Sequence, residues 1–200
     1  MVDETLRRVK DWALEPVARP LRGVSPLIIT AMALAVGLVG IGLLTQRAYG
    51  WGLAAWLLNR GLDGLDGAVA RLHRRQSDLG GYLDILADFG VYAGFPIALV
   101  AGNPSPAGYL SLAVLLGCFY VNAASWMYLA AILEKRRTRP GGELTTIAMP
   151  AGLIGGTETI IFYTLFILWP AALPLLFWLM AGLVLVTIGQ RVVWAVKQLR

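Results

Sequence analysis

Residues 23–46, 89–133 and 159–190 contain no Asp, Glu, Lys or Arg. A helix needs about 20 consecutive apolar residues to cross the hydrocarbon core of a bilayer, so runs of this length dictate a chain that lives in lipid. The second run is long enough for two crossings and breaks at GNPSPAG (102–108), where Pro and Gly end one helix and open the next. The third breaks at WPAALP (169–174), and its first crossing takes its opening turns from residues 148–158. Composition agrees. Of the 200 residues 14% are charged, against roughly 25% in a soluble domain.

The pattern predicts an all-α integral membrane protein with six transmembrane helices, near 24–45, 49–71, 79–101, 108–133, 148–168 and 174–196. They form one domain over residues 23–200, with no second domain and no long linker. Residues 1–22 differ. They carry Arg7, Arg8, Lys10, Asp11 and Glu15 and lack the continuous apolar core of a cleavable signal peptide. Leu6, Val9, Ala13 and Val17 recur at three- and four-residue spacing, which predicts an amphipathic helix on the membrane surface, bent at Pro16. A solvated arm is the competing reading.

Lys and Arg set the orientation. They gather in the N-terminal arm, at Arg71, Arg74 and Arg75, at Lys135, Arg136, Arg137 and Arg139, and at Lys197 and Arg200, whereas the opposite side has Arg47 alone. The positive-inside rule therefore expects both termini and both basic loops on the cytoplasmic side of an inner membrane. The net charge of +5 is explained by lipid headgroups and topology rather than by nucleic acid. No G-x-G-x-x-G or phosphate-binding loop occurs. The single cysteine, Cys118, excludes an intramolecular disulfide, and the lone His73 cannot supply a histidine metal cluster.

Against this background the segment 61–90 is anomalous, because it holds Asp63, Asp66, Asp78, Asp84 and Asp88. A carboxylate in an apolar medium costs several kcal/mol unless it is neutralised. Asp78, or Ser77 before it, is placed to cap the third span. The other four fall on spans. Asp63, Asp66, Gly67 and Ala70 share one helical face of span two, and Asp84 and Asp88 lie one turn apart on span three. The two spans run in opposite directions, so the pairs can face each other at one depth near the cytoplasmic interface.

Four converging carboxylates cannot all stay ionised without cations. Hard divalent ions with oxygen ligands answer this, and an all-aspartate site suits Mg²⁺ or Mn²⁺. Two such ions between facing pairs point to phosphoryl chemistry. Gly61, Gly64 and Gly67 recur every third residue and Gly80 faces the same region, leaving room for a ligand against bare backbone; close helix packing is the alternative. Arg71 is placed to clamp a phosphate bidentately, or else serves topology.

The eight positions Asp63-x2-Asp66-Gly67-x2-Ala70-Arg71-x8-Gly80-x3-Asp84-x3-Asp88 resemble the signature of the CDP-alcohol phosphotransferase (CDP-alcohol phosphatidyltransferase) family. The resemblance implies that Asp63, Asp66, Asp84 and Asp88 hold a two-metal centre and that Asp88 is also the general base. It implies that Gly67, Ala70, Arg71 and Gly80 line the pocket for the CDP moiety, and that an acceptor oxygen attacks the lipid-bearing phosphorus as CMP leaves. Two positions depart from the family pattern. Many relatives have Pro-Asn near the start of span one, where this chain has Pro26 and Leu27. Relatives using phosphorylated inositol often have Glu-Arg in span five, where this chain has Glu158 and Thr159. Lys135, Arg139 and Arg191 remain candidates for an acceptor phosphate, with topology as the equal alternative.

The expectation is thus a membrane transferase of phospholipid biosynthesis that uses CDP-diacylglycerol and a small polar alcohol such as glycerol 3-phosphate or an inositol-type acceptor. A second version gives a CDP-amino-alcohol the donor role and diacylglycerol the acceptor role. From another class, a divalent-cation transporter would also line a path with aspartates, but the chain has no internal repeat and its aspartates cluster at one end. Many relatives are dimers, and a homodimer is compatible with the sequence. GLVGIG (37–42) offers small residues for a partner or for internal packing.

Overall fold

The computed structural model describes residues 14–137 and 152–199. Among them all regular structure is helical. A helical turn at 14–18 runs into a 3-10 turn, Arg19–Gly23. Six longer helices come next: α1 (Pro26–Thr45), α2 (Tyr49–Leu72), α3 (Asp78–Gly102), α4 (Pro106–Arg137), α5 (Gly156–Leu168) and α6 (Leu173–Leu199).

Four of these, α1, α3, α4 and α6, are long and apolar enough to cross a membrane. α2 has the length, but Arg60, Asp63, Asp66 and Arg71 interrupt its apolar character. α5 has 13 residues, roughly 20 Å at 1.5 Å per residue, short of the ~30 Å hydrocarbon core. The expected span 148–168 is therefore helical only from Gly156; residues 148–151 lie outside the described part. The reason is a contact with α6. Residues 152–155 are held in a bend by α6, through Leu153 N–H to Gln190 Oε1 at 3.1 Å and Ile154 N–H to Thr187 Oγ1 at 2.9 Å. Glu158 then reaches back to accept from the Gly155 N–H at 2.9 Å, the glutamate half of a capping box, and the helix starts there.

Of the expected surface helix, residues 1–13 lie outside the described part. In its described remainder Val17 is exposed, while Leu14, Ala18 and Leu21 turn inward and pack with Ile29, Leu62, Leu65, Ala68 and Val69. His73, at the end of α2, donates through Nε2 to the Ala18 carbonyl at 3.0 Å. The lone histidine thus ties this segment to α2.

The described chain divides into two compact units, one built on residues up to Pro104 with Tyr163–Ala171, the other on Ser105–Phe162 and Ala172–Arg200. In the first, α1 is the spine. α2 and α3 each lie along it, and their backbones make few close approaches to each other. Two glycines of α1 permit this. A Cβ at Gly37 would come within 2.7 Å of Val91 and 3.1 Å of Asn59, and one at Gly40 within 2.8 Å of Phe95 and 3.0 Å of Ala55. The GLVGIG stretch thus serves internal packing at these two positions. Beyond them, Trp56 stacks on Tyr163 with ring centroids 5.0 Å apart and meets Phe95 at 5.1 Å, and its Nε1 donates to Thr164 Oγ1 at 3.3 Å.

The far ends of α1 and α3 meet backbone to backbone. A Cβ on Gly102 would sit 2.6 Å from the Leu44 carbonyl oxygen, and Arg47 Nε donates to the Gly102 carbonyl. Backbone cannot swing aside as a side chain can. Gly102→Ala is expected to cost about 1–3 kcal/mol and to lower the melting temperature of the detergent-solubilised protein. Gly42→Ala, with nothing within 4 Å, leaves it unchanged or raised; equal melting of both variants would refute the close approach.

In the second unit α4 packs along α6. Arg191 Nη1 donates to Asn122 Oδ1 at 2.8 Å and to the Asn122 carbonyl at 3.1 Å. Arg136 donates to the Gln198 and Leu199 carbonyls at 3.1 and 2.8 Å, placing a cation at the C-terminus of α6. Cys118 is buried and free.

Candidate active site

The turn between α2 and α3 builds the site. α2 stops at His73, and Arg74 takes a left-handed conformation with φ 52° that folds the chain back, so that Arg75 N–H reaches the Ala70 carbonyl at 2.8 Å. Ser77 caps α3, its Oγ accepting from Gly80 N–H at 3.1 Å. Of the two capping candidates Ser77 makes the bond. Asp78 is the first helical residue, where a carboxylate favours the positive end of the helix. Gly80 suits the cap, since a Cβ there would lie 3.0 Å from Ser77 Oγ.

This return lays the last turns of α2 opposite the first turns of α3 and encloses a cavity of about 450 Å³. Asp66, Gly67, Ala70 and Arg71 line it from α2, and Gly80, Gly81 and Asp84 from α3. The start of α1 completes it with Ser25, Pro26, Leu27 and Thr30, and the connecting turn adds Arg75, Gln76 and Ser77. The first turn of a helix carries partial positive charge, which suits an anionic ligand. Gly67 makes room for the guanidinium, because a Cβ at that position would lie 2.9 Å from Arg71 Nη1. Gly61 faces open space.

The other two aspartates lie off this cavity and meet Arg60. The buried guanidinium donates through Nη2 to Asp88 Oδ1 at 2.9 Å, through Nη1 to Tyr92 Oη at 2.8 Å and through Nε to Asn59 Oδ1 at 2.8 Å. Its Nη1 lies 3.8 Å from Asp63 Oδ2, and its Cζ stands 5.1 and 4.8 Å from the Trp56 and Tyr92 ring centroids. Asp66 is held from α1, its Oδ2 accepting from the Thr30 hydroxyl at 2.6 Å. The charges of Asp63 and Asp84 act on Asp88, and those of Asp63 and Asp88 act on Asp66. The four carboxylates therefore form one electrostatic cluster.

The donor chemistry fits a hard divalent ion: oxygen ligands only, on two helices separated by a gap. Among the described residues no three acidic, His or Cys side chains close around one point. Asp66 and Asp88 are turned to Thr30 and Arg60, partners that a metal would replace.

Residues 24–189 match the family described as CDP-alcohol phosphatidyltransferase. The protein belongs to this family. Among its relatives is the Inner membrane protein YnjF of Escherichia coli (strain K12), 39% identical over 153 residues that cover 74% of this chain and 72% of YnjF. Membership in the CDP-alcohol phosphatidyltransferase family brings transfer of phosphatidyl groups, a CDP-alcohol substrate and a bilayer environment.

All four residues expected at the nucleotide, Gly67, Ala70, Arg71 and Gly80, surround one cavity with two of the four expected metal ligands. Lys135 is exposed on the last turn of α4, Arg191 bonds Asn122, and Arg139 lies outside the described residues. Sequence reasoning missed Arg60, Thr30 and Tyr92. The i,i+3 spacing of Arg60 and Asp63 was the available signal; nothing local announced that Thr30 reaches Asp66 from α1.

Proposed function

We propose that the protein moves a phosphatidyl group from CDP-diacylglycerol to the hydroxyl of a small polar alcohol and releases CMP. The observation that carries this reading is the convergence of Asp66, Gly67, Ala70, Arg71, Gly80 and Asp84 on one cavity next to the Asp63–Asp88 pair. In this reading Gly67, Ala70 and Gly80 leave space for the CDP moiety, and Arg71 pairs with a phosphate oxygen. Asp88 takes the proton of the acceptor hydroxyl. The oxygen forms its bond to the lipid-bearing phosphorus as the bond from that phosphorus to the CMP oxygen breaks. Two Mg²⁺ or Mn²⁺ ions, held by Asp63, Asp66, Asp84 and Asp88, would neutralise the pyrophosphate charge.

The same reading has α2 and α5 crossing the membrane with the four longer apolar helices. Residues 1–22 would be a surface helix ahead of a catalytic domain over 23–200, in an inner membrane with both termini and the active site on the cytoplasmic side. An acceptor that carries its own phosphate would meet Lys135, Arg139 and Arg191.

The test is a CMP-release assay with CDP-diacylglycerol and a panel of acceptors, including glycerol 3-phosphate and inositol-type alcohols. One acceptor is expected to raise CMP release well above the rate without acceptor. Chelation is expected to stop it, and Mg²⁺ or Mn²⁺ to restore it. Turnover only with a CDP-amino-alcohol and diacylglycerol would reverse the direction of transfer. Ion flux into vesicles with no CDP-lipid turnover would overturn the reading.

A further inference from the structure

A second concavity borders the α2–α3 turn. It has a volume of about 580 Å³ and is lined by Arg19, Arg22, Leu72, His73, Arg74 and Arg75. Four guanidinium groups therefore border one depression. Among the described residues a single carboxylate answers them, Glu15, which pairs with Arg19 at 3.0 Å. His73 is turned to the Ala18 carbonyl, and Arg75 Nη1 to the Val24 carbonyl at 3.3 Å. Arg22 and Arg74 are exposed and have no side-chain partner among the described residues.

Three planar guanidinium groups, of Arg22, Arg74 and Arg75, that meet no carboxylate among the described residues suit a phosphate group. The position says which phosphate. The basin lies beside the opening of α1, a helix long and apolar enough to span a bilayer, through the Arg75–Val24 bond. Leu72 on its wall is 41% exposed, and Val17 on the nearby helical turn is 53% exposed. Cations flanked by outward apolar side chains at the end of a span match a lipid, with its charged head above its tails.

We propose that this basin binds the headgroup phosphate of an anionic membrane lipid, at a site separate from the cavity that holds Asp66 and Asp84. Arg75 lines both concavities and is therefore left intact in the test.

The purified protein is titrated with short-chain phosphatidylglycerol, short-chain phosphatidylcholine and inorganic phosphate, and binding is read by native mass spectrometry and thermal shift. The variant is Arg22→Gln with Arg74→Asn, the asparagine tolerating the left-handed backbone at that position. Phosphatidylglycerol is expected to bind the unmodified protein far better than phosphatidylcholine. The double variant is expected to weaken that binding roughly 25-fold, at about a factor of five per arginine, while Arg22→Lys keeps most of it. CMP release is expected to stay at its basal rate in the double variant. If the double variant does not fold, Arg22→Gln alone is expected to weaken binding about fivefold. Unchanged lipid binding in a folded variant would mean that these charges serve topology and would overturn the proposal. So would equal binding of phosphatidylcholine, or displacement of the lipid by an equal concentration of inorganic phosphate, which would make this a site for free phosphate.

Discussion

Asp88→Asn is expected to lower CMP release by roughly 10²–10⁴-fold, the range for loss of a positioned general base, and to leave the protein folded. The substitution keeps the shape of the side chain and an oxygen that can still accept from Arg60 Nη2, now 2.9 Å from Asp88 Oδ1. What disappears is the capacity to take a proton and the negative charge. Raising Mg²⁺ or Mn²⁺ separates the two losses. If Asp88 acts only as a ligand, excess metal recovers much of the rate; if it is the base, the rate stays low at saturation. Full activity in a folded Asp88→Asn protein would exclude both roles.

The second large effect is expected at Arg60. Arg60→Met keeps the bulk of the stem and removes every donor. Asp88, Asp63, Tyr92 and Asn59 then lose the cation they share. Removing one partner of a buried ion pair costs about 3–5 kcal/mol. The Asp88 side chain is 31% accessible, so the low end of that range is expected, a fall of roughly 6–12 °C in melting temperature. Turnover is expected to fall as well, because α3 loses the bond that orients Asp88. Arg60→Lys restores the charge but not the fork that reaches Asp88 and Tyr92 together, so it is expected to lie between the two. Wild-type melting and turnover in Arg60→Met would show that the guanidinium does no positioning.

What could be read from the chain and what could not divide along a physical line. The spacing of Asp63, Asp66, Asp84 and Asp88 and the helices that carry them come from local periodicity and were legible. So was the approximate extent of α1, α3, α4 and α6, because the greater part of each is an uncharged apolar run. The split of the four carboxylates was not legible. Asp66 and Asp84 look into the cavity while Asp63 and Asp88 turn to Arg60, which depends on how far α2 and α3 are rotated about α1. The late start of α5 was hidden for a similar reason, since Thr187 and Gln190 of α6 hold residues 153 and 154 in the bend. Glu158, which the sequence marked only as a Glu without the following Arg, has its carboxylate on the cap of its own helix.

Gly37 and Gly40 act at a distance. Each is a point where a single added carbon would strike both neighbours of α1 at once, Asn59 and Val91 at the first, Ala55 and Phe95 at the second. The width of the slot between the two acidic helices is thereby fixed beside Arg60 and within about one turn of Asp88, by two positions that have no side chain. A methyl group there would act as a wedge, parting Asp63 and Asp66 from Asp84 and Asp88 without touching a reacting atom.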